Sequence, residues 1–120
     1  RGICCLYPQR KHLSENIRVI SIIGHFLEHS RIFWFRNNED PEVYIGSADW
    51  MRRNLDRRIE AVTPIEDSKL KSQLHNLLKA YIKDNYFSWV MKEDGTYEKN
   101  LMDSSINRSQ FDLVKNWQNY

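Results

Sequence analysis

The chain has 120 residues, of which 41% are hydrophobic and 28% charged, with a formal net charge of +2 at pH 7. A chain of this size fits one domain that buries a core without disulfide help, and so mild a charge argues against a polybasic nucleic-acid binder or a membrane-surface protein. No stretch approaches the ~18 apolar residues of a membrane span, and no signal-peptide pattern opens the sequence.

In chain order, Arg1-Gly2-Ile3-Cys4-Cys5-Leu6 reads as a short apolar strand that stops at a Tyr7-Pro8 turn. Cys4 and Cys5 are the two cysteines. With no second pair to close a metal site or a disulfide framework, they are expected as buried thiols of a cytosolic protein. The sequence starts on this run without a leading loop or a Met, as a fragment of a longer protein would. Residues 9–14 are polar loop, and Ile17-Arg18-Val19 is β-branched and extended. From Ser21 the apolar period changes. Ile22, Ile23, Phe26 and Leu27 fall on a helical stripe that Ser21 can cap and that ends near His29.

Arg31-Ile32-Phe33-Trp34-Phe35 is dense in aromatics and predicts a strand. A turn cluster over residues 36–41 leads to a second strand, Val43 to Ser47, so the pair predicts an antiparallel hairpin. Residues 50–56 are irregular, with room for one helical turn, and residues 58–64 suit a strand closed by Pro64. Leu70, Leu74, Leu77, Leu78, Tyr81 and Ile82 form one face of a helix capped by Asp67 or Ser68 and ending near Asn85. Trp89 to Met91 and Thr96 to Glu98 flank an Asp94-Gly95 turn, a hairpin signal. Ser109 opens a last helix with Phe111, Val114 and Trp117 on one side. The expected class is α/β or α+β, a mixed sheet flanked by helices. The expected organisation is one domain, 1–120, with a motif-bearing core over 1–85 and a C-terminal hairpin and helix over 86–120.

The candidate chemistry centres on His29. On spacing alone it reads as a helix-end histidine, favoured there by the macrodipole. Two features shift that reading. Ser30-Arg31 stands at a helix-to-strand junction, where α/β sheets bind ligands, and Gly46-Ser47-Ala48-Asp49 ends the neighbouring strand. If the two strands pair through the short turn, His29, Arg31, Ser47 and Asp49 share one sheet edge. Histidine moves protons near neutral pH. Serine hydroxyls and strand-end N–H groups bind phosphate oxygens. Asp49 can orient an imidazole or an arginine, and Arg31, Arg57 and Arg58 can neutralise phosphoryl charge.

Other features read more plainly. For Arg52 and Arg53 a solvated face is the competing reading, and Asp56-Arg57-Arg58 also reads as a local ion-pair set. His12, His25 and His75 are expected at the surface, and four scattered histidines make a poor zinc site. The tryptophans read as core rather than a base-stacking platform. Neither Gly-rich nucleotide fingerprint is present.

Several motifs in the same order strongly resemble the C-terminal domain of bacterial polyphosphate kinases, enzymes of the phospholipase-D-like fold. They are Arg1-Gly2-Ile3-Cys4-Cys5-Leu6, Leu13-Ser14-Glu15-Asn16-Ile17-Arg18-Val19, Phe26-Leu27-Glu28-His29-Ser30-Arg31, and Ser47-Ala48-Asp49-Trp50-Met51 with Arg53-Asn54-Leu55-Asp56-Arg57-Arg58. The resemblance covers roughly residues 1–85. It implies one half of a two-domain catalytic core that reversibly transfers the terminal phosphate of ATP to inorganic polyphosphate. In that family the phosphorylated histidine lies in the preceding domain, absent here. The resemblance places His29 opposite it, within the ATP-binding set, and Arg1 in contact with nucleotide. It implies Mg2+ arriving with ATP on ligands outside this chain, so no metal ligand is assigned here.

His29-x-Arg31 followed by Gly46-Ser47-x-Asp49 is also similar to half of the phospholipase D motif, but arginine stands at the lysine position and the downstream aspartate is missing at its usual spacing. That departure weakens a phosphodiesterase or nuclease half-domain as the alternative; a non-catalytic polyanion-binding domain is a third class. The implied partners are ATP or ADP, polyphosphate, the remaining domains of the same chain and further copies of the enzyme, with no nucleic acid. The implied location is cytoplasmic, with or without membrane association. As a mechanism, His29 as imidazolium and Arg1 would stabilise phosphate charge or protonate the departing oxygen. Arg31, Arg57 and Arg58 would line the polyphosphate path.

Overall fold

The computed structural model describes residues 4–100 and 105–116. Two compact units emerge, one from Arg1–Glu28 with Lys79–Tyr120, the other from His29–Leu78. Each holds one three-stranded antiparallel sheet, so the α+β class stands with its strands divided between two sheets.

The second unit is built on β2 (Ile32–Phe35), β3 (Glu42–Gly46) and β4 (Val62–Pro64), in the order β2-β3-β4. The expected hairpin forms, with Ile32 opposite Ile45 and Trp34 opposite Val43. A 3-10 turn over Asn37–Glu39 joins the strands. Asn37 and Asn38 take φ of 42° and 51° there, a conformation asparagine tolerates better than most residues. Val43, in the central strand, is 2% exposed and anchors the unit. Gly46 ends β3 where a Cβ would lie 3.2 Å from the Phe33 ring and 3.3 Å from the Ala61 carbonyl, so glycine permits that close approach. The short helix α1 (Arg52–Arg57) follows.

Helix α2 (Ser68–Lys83) starts where the apolar period predicts. Its cap is Asp67, whose carboxylate accepts the Leu70 N–H at 2.8 Å while its carbonyl accepts from Lys71 at 2.9 Å. Leu74, Leu77, Leu78 and Tyr81 are half-buried, whereas Leu70 and Ile82 stay exposed. Within the second unit the helix meets the hairpin through His75, which stacks on Trp34 at 4.7 Å, and through Lys71, which donates to the Pro41 carbonyl at 2.9 Å. His75 is therefore half-buried rather than a surface residue.

In the first unit, β5 (Ser88–Met91) is central between β1 (Ile20–Ile22) and β6 (Tyr97–Lys99). Val90 and Met91 are buried there. The Asp94-Gly95 turn forms as expected, Gly95 at φ 83° and Asp94 accepting from the Thr96 N–H and hydroxyl at 2.9 and 2.6 Å. Asp84 is fully buried and binds four donors: the N–H groups of Tyr86 and Phe87 on Oδ1, and the N–H and hydroxyl of Ser109 on Oδ2. That carboxylate opens α3 (Ser109–Asn116) and satisfies a helix N-terminus.

Three expectations are corrected. Residues 4–6 are not a strand and Cys4 and Cys5 are exposed, while residues 1–3, with Arg1, lie outside the described residues. The extended segment sits at Ile20–Ile22 rather than residues 17–19. No helix forms over residues 21–29. Ser21 pairs with Trp89 in β1, and Gln110 takes the place of helical bonds further on, accepting the Phe26 N–H at 3.0 Å and donating to the Phe26 carbonyl at 2.8 Å.

Candidate functional site

The hairpin register decides what meets what. The Gly46 N–H donates to the Arg31 carbonyl at 3.0 Å, so the entry to β2 lies beside the exit of β3. Arg31 precedes β2, and Asp49 follows β3 by three residues. Their side chains meet: Arg31 Nε and Nη2 lie 3.0 and 2.9 Å from Asp49 Oδ1.

His29 joins from the segment before β2. Arg31 Nη1 lies 2.6 Å from its ring Nδ1 and donates to its carbonyl at 3.1 Å, while Nη2 lies 3.0 Å from ring Nε2. Arginine carries donors only, so the imidazole is the acceptor at this contact. Because no helix ends at His29, a macrodipole has no part in placing it. Its neighbours are an arginine and, through that arginine, a carboxylate. The Arg31 side chain is 15% exposed and that of Asp49 is 44% exposed. The hydrogen bond from Arg31 holds the Asp49 carboxyl below the usual carboxylate range, against a smaller opposing effect of desolvation. The charges on Arg31 and Arg53 act in the same direction as the bond.

The loop carrying Asp49 is fixed on both sides. Ala48 is buried, and Trp50 stacks on Phe33 at 5.7 Å. Asn54, 3% exposed in α1, donates from Nδ2 to the Asp49 carbonyl at 3.2 Å. Among the described residues, Asn54 Oδ1 is the buried side-chain polar atom left without a partner.

Ser47 takes another direction. Its hydroxyl pairs with Glu60 Oε2 at 2.5 Å and accepts the Ala61 N–H at 3.0 Å. It ties the end of β3 to the segment before β4 and does not meet His29, Arg31 or Asp49 through any of these bonds. Arg57 closes α1 and lines a shallow cavity of 330 Å³ with Arg52, Arg53 and Asp56. Arg52 is engaged by Asp56 at 3.0 Å. Arg58 follows at the helix end in extended backbone, φ −126° and ψ 154°, and is exposed.

The structure thus joins His29, Arg31 and Asp49, sets Arg57 and Arg58 on and just after α1, and turns Ser47 toward Glu60. Sequence reasoning missed Asn54 and Glu60. Asn54 lies in the motif that runs from Ser47 to Arg58, five residues after Asp49, so its position was a signal; nothing in the spacing marked Glu60. Among the described residues no group of three or more His, Cys, Asp or Glu side chains is placed to hold a metal ion, and no helix is long and apolar enough to cross a membrane.

This arrangement has relatives. A family model described as polyphosphate kinase C-terminal domain 2 matches residues 1–110. The chain is 57% identical over 119 residues to a polyphosphate kinase of Parasynechococcus marenigrum, covering 98% of this chain and 17% of that protein. It is 50% identical over 99 residues to a polyphosphate kinase of Pseudomonas aeruginosa, covering 82% and 14% respectively. Its fold is similar to the crystal structure of polyphosphate kinase from Porphyromonas gingivalis, with a TM-score of 0.91 at 35% identity over 98% of this chain and 18% of that one. The chain therefore spans less than a fifth of the length of each of these relatives.

Proposed function

The chain belongs to the polyphosphate kinase family as its C-terminal domain, and from that premise we propose that it supplies one half of an ATP:polyphosphate phosphotransferase site. The observation that carries the proposal is the histidine of the Leu27-Glu28-His29-Ser30-Arg31 motif, exposed and held by Arg31, which is itself held by Asp49. An exposed imidazole with a fixed ring is suited to meet a phosphoryl oxygen where charge develops.

The proposed reaction runs in two transfers. A histidine nitrogen in the preceding domain attacks Pγ of ATP, the bond from Pγ to the bridging oxygen breaks, and ADP leaves. The terminal oxygen of polyphosphate then attacks the phosphohistidine, forming a new phosphoanhydride and freeing the histidine. Phosphoryl transfer asks a protein mainly for positioning and charge stabilisation. We assign that to His29 from this chain, with Arg1 from the family resemblance. Arg57 and Arg58 are proposed to line the polyanion path, supported by the place of Arg57 in the cavity along α1 and by the exposure of Arg58 just after that helix. Mg2+ would shield the phosphate charges of ATP, on ligands we place in the rest of the protein.

The remaining domains are proposed as the chain's immediate partners, supported by the exposed apolar side chains of Trp50, Leu55 and Ile59 beside the arginines. A cytoplasmic setting follows from the ATP substrate. Self-association of the full-length enzyme is part of the same proposal.

The test is the full-length protein supplied with ATP, Mg2+ and a polyphosphate primer. Longer polyphosphate and stoichiometric ADP are expected. Hydrolysis of a bis-aryl phosphate diester without any ATP-dependent product would instead favour a phospholipase-D-like phosphodiesterase. Salt-sensitive polyphosphate binding with neither activity would favour a polyanion-binding module.

A further inference from the structure

Arginine has five N–H donors, and Arg31 directs four of them at protein acceptors. Nε and one Nη2 donor face Asp49 Oδ1 at 3.0 and 2.9 Å. The two Nη1 donors face the His29 carbonyl at 3.1 Å and Nδ1 at 2.6 Å, while the remaining Nη2 N–H lies against the ring, 3.0 Å from Nε2. At those four donors a phosphate oxygen could bond this guanidinium only by displacing a protein acceptor. The group is also the less accessible partner of its ion pair, 15% exposed against 44% for Asp49. Arg57 and Arg58, by contrast, are exposed.

The contact with the ring has a direction. A neutral imidazole accepts at one nitrogen, and the nitrogen it accepts on fixes where its proton sits. The shorter contact is at Nδ1; the tautomer that accepts there carries its proton on Nε2, and the longer contact is then packing of the guanidinium on the ring. An Nε2–H is a donor that can be offered to a phosphoryl oxygen.

The anchor behind Arg31 is built in. Asn54, buried in α1, bonds the Asp49 carbonyl; Trp50 stacks on Phe33; Ala48 is buried. Lysine in place of Arg31 could not bridge a carboxylate and an imidazole, because it offers a single point of charge rather than a planar fork.

We propose that Arg31 is a positioning residue that acts through His29, setting its ring and tautomer, with Asp49 and Asn54 as its anchors, and is not itself a phosphate ligand. The proposal rests on the polyphosphate kinase reading of the site and assigns a role within it.

The experiment is a double-mutant cycle in the full-length enzyme, with kcat and KM for ATP measured during polyphosphate synthesis. The variants are His29→Ala, Arg31→Ala and the pair, with Arg31→Lys as a milder second probe of Arg31. Arg31→Ala is expected to lower kcat by tenfold or more, on the order of what misplacing a catalytic group costs, with little change in KM. In the His29→Ala background the same change is expected to cost less than about twofold, because residues that act through one another are not additive. Arg31→Lys is expected to lose nearly as much as Arg31→Ala.

Losses that multiply in the double variant would overturn the proposal, as would a raised KM for ATP at unchanged kcat or a near-normal Arg31→Lys enzyme. Each would make Arg31 a phosphate-binding cation in its own right while leaving the kinase reading intact. Full activity in His29→Ala would overturn both this proposal and the site on which it rests.

Discussion

Asp49 shows how one residue's chemistry sets the site. Its carboxyl is held below the usual range chiefly by the Arg31 bond, so the pair stabilises the fold most fully above the pKa of an unfolded aspartate, about 3.9. The stabilisation is lost as pH falls through the lowered folded value. The difference in thermal midpoint between the full-length parent and Asp49→Asn should therefore stay level from about pH 5 to 8 and close below about pH 4. A difference unchanged at the acid end would mean that the charge of Asp49 contributes nothing to the pair. At this scale much was legible in the sequence: the Gly46-Ser47-Ala48-Asp49 string and the hairpin placed Asp49 beside Arg31. The direction of the Ser47 hydroxyl was not legible, because its partner Glu60 is thirteen residues away in an irregular segment.

Elements divided according to whether their stabilising contacts are local. Helix α2 carries its own period and cap, and it formed where the pattern put it. Asp67→Ala should cost that helix about 1 kcal/mol, seen as faster hydrogen exchange in its first turn in the full-length protein; unchanged exchange would deny the cap its role. The segment from Ser21 to His29 fails as a helix for non-local reasons. Its apolar spacing fits a helix, but Ile20–Ile22 pairs with a strand nearly seventy residues on, and Gln110 satisfies both backbone groups of Phe26 across 84 residues. No local pattern reports such partners. Gln110→Ala leaves those two groups open, a loss on the order of 1–3 kcal/mol. Faster exchange at Phe26 is expected, and unaltered protection there would show that Gln110 does not hold the segment.

At the scale of the whole molecule, the α+β class and the family were readable from ordered motifs, whereas the division into two antiparallel sheets was not. Strand pairing between distant segments depends on loop closure and register that composition does not encode. Charge at this scale concerns the polyanion. If Arg57 and Arg58 line its path, replacing both with Gln in the full-length enzyme should weaken polyphosphate binding and flatten its dependence on salt by about one to two units of log–log slope, since each neutralised phosphate releases about one counterion. An unchanged slope would place the path elsewhere. The central claim, that this chain contributes His29 to an ATP-to-polyphosphate transfer site, is tested most directly by the initial rate of polyphosphate synthesis in full-length His29→Ala at saturating ATP, with thermal stability checked against the parent. A loss of at least a hundredfold, the lower end of what a positioned acid–base group contributes (about 10²–10⁴), is the expected result; a stable variant working at the parent's rate would contradict the claim.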